Sequence, residues 1–203
     1  MPSILRDFSA PVVLEFDYTD AELAFLMAHD SDPFNRWEAG QRLAMRRLLE
    51  LTDKAKSGER MESADATLTN AFRATLNDGA LDPAFREVAL TLPSETMIAE
   101  QMDVIDPQAI HGARQFLRKS LAQPLHNDWI VAYEASQTPG VYSPDASAAG
   151  KRALKNVALA YLAELDNTDS HALIQKQYDQ ANNMTDRLAA LSALANGSAP
   201  GKA

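Results

Sequence analysis

The chain contains no cysteine, which excludes disulfides, thiolate nucleophiles and cysteine-ligated metals. It has no apolar run near the roughly 18 residues that a membrane-spanning helix needs. Its opening, MPSILRDFSAPVV, lacks the basic start and continuous apolar stretch of a secretory signal. A cytoplasmic setting without membrane partners is the expectation. Positive charge is scarce: 19 Lys and Arg stand against 28 Asp and Glu, for a net charge of -9. The densest basic spots, Arg46-Arg47 and Arg118-Lys119, are too short to displace the counterions of a nucleic acid, so no nucleic-acid partner is expected. Glycine is sparse, and neither a G-x-G-x-x-G nor a G-x-x-x-x-G-K-[ST] phosphate loop occurs. A G-x-S-x-G nucleophile elbow is absent as well.

What is present reads as helix. Thr19-Asp20-Ala21-Glu22 is a capping box, in which hydroxyl and carboxylate each satisfy a backbone N–H of the first turn. It predicts a helix to about His29. Asp32-Pro33 repeats the theme differently: Asp caps, and Pro takes a first position that needs no N–H. Trp37, Ala44, Leu48 and Leu51 then mark one face. Asp82-Pro83, Asp106-Pro107 and Ser143-Pro144 open further helices in the same way. Ser63, Ser94, Asp169 and Thr185 are the expected caps of others, and Pro124 starts one over 124–136. Residues 54–63 are the longest expected polar loop. About ten helices result, with no strict repeat period.

The first residues differ. PVVLEF, Pro11 to Phe16, is short, β-branched and bounded by Pro and Asp, which predicts a strand. Leu5 to Phe8 is a second candidate extended piece. Two strands do not stand alone in water, so they read as the edge of a sheet. The fold class is therefore all-α, an irregular α-α superhelical or solenoid-like array with a short β-strand remnant at its N-terminus.

The histidines and carboxylates are the candidates for chemistry. His29, Asp30 and Asp32 cluster in sequence, but a catalytic zinc takes three protein ligands and often two His one helical turn apart. His111, His126 and His171 supply no such pair. Asp32 reads as a cap and Asp30 as part of a turn. His126 precedes Asp128 and Trp129 and reads as surface polar at a helix start. No catalytic, cofactor-binding or metal-binding residue is assigned. Asn182-Asn183 reads as a helix end plus turn, because Asn tolerates the left-handed conformation. Its functional alternative is a polar corner lining a cavity. Phe25, Met27, Phe72, Met97, Met102 and Tyr161 recur at helical spacing and read as core.

Several segments, PSILRDFSAPVVLEF, ELAFLMAHDSDPFNRWEAGQRLA, LTLPSE, IDPQAI and KQYDQANNMTDRLAALSAL, together resemble the M1 zinc aminopeptidases of the bacterial aminopeptidase N type. That resemblance implies a β-sandwich end over residues 1–18 and part of a C-terminal helical domain over 19–195; the turn residues and missing core of 196–203 predict a flexible tail. It also implies that the chain is cut from a larger protein. The family's H-E-x-x-H zinc motif and G-x-M-E-N motif have no counterpart here. Zinc would then belong to the parent enzyme alone. The implied role is a non-catalytic helical cap that shapes access to the active site of a peptide-trimming enzyme. Its implied partners are the catalytic and β-sandwich domains of the parent and the parent's peptide substrates. A severed helical array is also expected to self-associate through its C-terminal helices. A free-standing helical-repeat module that binds protein or peptide is the alternative.

Overall fold

The computed structural model describes residues 2–12, 15–63 and 65–197, the side chain of Phe8 excepted. Among the described residues ten α-helices follow a short 3-10 turn at Arg6–Phe8: α1 Asp20–His29, α2 Pro33–Ser57, α3 Ala66–Asn77, α4 Pro83–Leu90, α5 Glu95–Ala99, α6 Pro107–Ala122, α7 His126–Ala135, α8 Ala146–Ala163, α9 Thr168–Gln180 and α10 Met184–Asn196. The array is all-α among the described residues, as the helical spacing and caps predict. The centre of the expected strand, Val13 and Leu14, lies outside the described residues, and its described flanks have no strand pairing. Leu5 to Phe8 is not extended. Leu5 and Asp7 take left-handed backbone angles, with φ of 58° and 54°.

The helix starts are set locally. In α1, the N–H of Thr19 donates to Glu22 at 2.8 Å and the N–H of Glu22 donates to the Thr19 hydroxyl at 3.3 Å, completing the capping box. Asp32 accepts from the N–H of Asn35 at 2.9 Å, and Ser94 from Met97 at 3.2 Å. Asp82 and Asp106 cap as expected. Four expected caps shift to a neighbour. Asp65, not Ser63, accepts from Leu68, and Asp145, not Ser143, accepts from Ala148. Asn167 rather than Asp169 caps α9, and Asn183 rather than Thr185 caps α10. Asn183 is therefore extended, with φ of -143°, and not left-handed. Helix α2 also runs through the start of the expected loop, to Ser57, and Gly58 ends it at φ 72°.

The chain divides into two units. The first comprises Met1–Thr75 and Val88–Leu117. Its core gathers Leu23, Leu26 and Met27 of α1, Leu43, Ala44 and Leu48 of α2, and Leu68 and Phe72 of α3, all buried. Helices α1 and α2 pack closely because position 40 is glycine. A Cβ there would lie 3.1 Å from the sulfur of Met27. Arg36, buried on the same helix, donates to the carbonyls of Met27 and Ala28 at 3.0 and 2.9 Å. It satisfies the last turn of α1 from a neighbouring helix. Trp37 is only half-buried and tilts against exposed Phe34. Phe25 and Met97, read as core, are exposed, while Met27 and Phe72 are buried. Phe25 instead lies tilted against His29 along the outer side of α1, with ring centroids 4.9 Å apart.

The second unit comprises Leu76–Glu87 and Arg118–Ala203. Trp129 is fully buried and stacks on Tyr161, with ring centroids 4.2 Å apart and planes within 7°. Leu125, Leu154, Ala158, Leu162, Ile174 and Ala190 complete the packing. Helix α8 packs against α7, α9 and α10. Gly150 lets α8 approach the start of α4: a Cβ would sit 3.0 Å from the Ala84 nitrogen. Helix α10 turns its apolar side outward. Met184, Leu188 and Leu191 are exposed, and its inward residues are Asp186 and Ala190.

Candidate functional site

Burying Asp186 in place of a leucine requires that its charge be met. Lys155, on the inward face of α8, supplies the cation, with Nζ 2.5 Å from Oδ2. The two side chains are 6% and 4% exposed. The amide of Asn156 donates to Oδ1 at 3.1 Å and that of Asn183 to Oδ2 at 3.0 Å. Gln177 of α9 donates to the Asn156 side chain at 2.8 Å and to the Asp186 carbonyl at 3.0 Å. Three helices are thus tied by one carboxylate and its amides, the condition under which a buried ion pair is tolerated.

Beside this cluster lies a cleft of about 410 Å³. Tyr133 and Gln137 form one side, Lys155 and Gln177 the floor, and Lys176 and Asn182 the rim. Asn182 donates to the carbonyl of Gly140 at 2.9 Å, which pins the turn at φ 97° to the α9–α10 corner. Burial holds the Tyr133 phenol above its ordinary pKa, so it stays protonated at neutral pH. The cleft therefore presents hydrogen-bonding groups and two lysine side chains, Lys155 and Lys176. Asn182 and Asn183 form the corner between α9 and α10, as their reading as a helix end plus turn expects, and Asn182 also lines the cleft. Lys155 and Gln177 were missed. A lysine sharing a face with Ala158, Leu159 and Leu162 was the available signal.

The other candidates separate. Asp30 and Asp32 are buried at the turn between α1 and α2, while His29 is directed along α1 to Phe25. Asp30 Oδ1 accepts from the N–H of Asp32 at 2.9 Å and from Arg6 at 3.2 Å. The N–H of Asn35 holds the Asp32 carboxyl below its ordinary pKa, with the Asp7 N–H and the Arg6 charge adding to it. His111 meets Glu95 and His171 meets Asp166, each at 2.8 Å. His126 lies beside Asn127. Among the described residues no three His, Asp or Glu side chains converge as a metal requires. No helix among the described residues is long and apolar enough to cross a membrane.

Residues 20–203 match a family model described as "Domain of unknown function (DUF3458_C) ARM repeats". The chain is 39% identical over 193 residues to aminopeptidase N of Escherichia coli (strain K12), covering 95% of this chain and 22% of that protein. It is 36% identical over 192 residues to aminopeptidase N of Haemophilus influenzae, covering 95% and 22% respectively. For aminopeptidase N of Caulobacter vibrioides the values are 38% over 189 residues, 93% and 21%. The crystal structure of Legionella pneumophila aminopeptidase A in complex with aspartic acid superposes with a TM-score of 0.75 at 29% identity, covering 94% of this chain and 23% of that one. The chain thus spans about a fifth of the length of the relatives it matches. The aminopeptidase N resemblance drawn from the sequence segments agrees with these relatives.

Proposed function

Given that the chain belongs to the DUF3458_C ARM-repeat family, we propose that it acts as the helical cap of a cytoplasmic, zinc-dependent M1 aminopeptidase. The cap makes and breaks no bonds itself. It shapes the route by which peptides reach an active site built by other domains, and those domains and the peptides are its partners. The observation that carries this reading is the match of 95% of the chain to only 22% of aminopeptidase N. A helical array with no zinc-fitting residues among those described supports a role in walls rather than chemistry. Sites enclosed between domains exclude water and select ligands by size.

Two measurements test the reading. In the longer polypeptide, residues 19–195 are removed, and cleavage of a short alanyl amide is compared with trimming of a folded protein's N-terminus. The ratio is expected to shift toward the folded protein; an unchanged ratio overturns the cap role. For the isolated chain, neither bound zinc nor turnover of the alanyl amide is expected. Turnover that follows its concentration through purification would sink the non-catalytic assignment.

A further inference from the structure

The polar cleft of the second unit holds hydrogen-bonding capacity that the protein itself does not use. An ammonium carries three donors. Lys155 is buried and lines the cleft, and it gives one donor to Asp186; no other described acceptor takes the remaining two. Gln177, also buried at the cleft, gives its N–H groups to Asn156 and to the Asp186 carbonyl. Turning its amide would set oxygen against oxygen at both contacts, so the orientation is fixed. Its carbonyl oxygen, buried as well, takes no donor. The Tyr133 phenol, kept protonated by burial, adds a further donor. Unmet donors and an unmet acceptor thus converge where burial makes each costly.

Charge narrows the class of ligand. Around the cleft Lys155 is offset by Asp186, and Lys176 by Glu134. A free anion or cation finds little net attraction there, whereas a neutral group bearing both C=O and N–H finds complements for each. The walls are set in advance: Gln137 is tied to the Tyr133 carbonyl at 3.2 Å and Asn182 to that of Gly140. A volume of about 410 Å³ is of the size that small ligands occupy.

We infer that this cleft binds the main chain of a short peptide, with a carbonyl oxygen on Lys155 and Tyr133 and an N–H toward Gln177. The site stands apart from the cap role: either could fail while the other held.

NMR of the isotope-labelled full chain tests this, with N-acetyl-alanyl-alanine amide as the neutral probe and acetate and methylammonium as charged controls. Saturable shifts are expected in residues 133–140 and 176–182 with the peptide, and weaker binding of both ions. Lys155→Met with Asp186→Leu removes the ammonium without stranding a charge, and should weaken peptide binding at least about 10-fold. Tyr133→Phe keeps the ring and should weaken it about 3-fold. Lys176→Gln, at the edge, should change it less than about 2-fold. Absence of saturable shifts up to the solubility limit overturns the site. Peptide binding at the parent level in both Tyr133→Phe and the double variant does the same. Acetate bound more tightly than the peptide, and weakened by Lys176→Gln, would make it an anion site and overturn the peptide assignment.

Discussion

Each unit holds a carboxylate buried against a cation, Asp30 in the first and Asp186 in the second, yet the two pairs are built differently. Asp186 faces a lysine that is itself 6% exposed, and both sit on long helices. Asp30 faces an arginine that is 44% exposed and carried on a strained turn. Where both partners are sealed in, neither has water to fall back on, and the pair becomes a condition of packing. Where one partner rests at the surface, the contact can break without collapsing the core. The same chemistry is thus sealed from water in one unit and half open to it in the other.

The sharpest way to break this comparison is Asp186→Ala. It strands Lys155 in the interior, and a loss of about 3–5 kcal/mol is expected in urea unfolding. The double replacement Lys155→Met with Asp186→Leu should recover most of that loss. Recovery will be incomplete because Asn156 and Asn183 lose their acceptor. A single-variant loss below about 1 kcal/mol would make the two pairs equivalent and end the distinction.

Asp32 in the first unit gives a smaller, pH-dependent effect. Its folded pKa lies below the unfolded value because the ionised form accepts N–H groups from Asn35 and Asp7. Its contribution is therefore fully present above the unfolded carboxyl pKa of about 3.9 and is lost as pH falls through the folded pKa. Asp32→Asn should cost about 1 kcal/mol at neutral pH, and the gap from the parent should narrow as acid is added below about pH 4. A gap that is constant or widens in acid contradicts the assignment. The smallest stability effect belongs to the outer side of α10. Leu188→Ser should change stability by no more than about 0.5 kcal/mol. Self-association through Met184, Leu188 and Leu191 is expected of the parent chain, and the same change should weaken it in sedimentation. Equal association of both proteins would remove that surface from consideration.

What the sequence disclosed depended on how far each interaction reaches along the chain. The Thr19–Glu22 box and the Asp-Pro pairs at 32, 82 and 106 were legible because each cap and the backbone N–H it satisfies lie within a few residues. Caps were misassigned where two eligible residues stood close together. Ser63 and Asp65, or Ser143 and Asp145, differ only in helix register, and packing fixes that. Ser143 instead hydrogen-bonds the Asp145 carboxylate and helps to hold its pKa down. The facing of α10 was illegible for another reason. Its leucines form an apolar stripe, so Asp186 is inward only because Lys155, thirty-one positions earlier, is waiting for it. The pairing of Arg6 with Asp30 hid in the same way, because Asp30 reads only as part of a turn and its partner lies twenty-four positions earlier. Of the polar cleft, the sequence marks Asn182 alone, because the other lining residues come mostly from α7, α8 and α9.

The close approach of Gly150 to the Ala84 nitrogen has a consequence for synthesis. Residues 76–87 emerge from a ribosome long before α8 exists, so the stretch that includes the start of α4 must wait, unclaimed, while 88–117 are added to the other unit. A nascent chain arrested before residue 150 should expose that stretch to protease, and one arrested well beyond it should not.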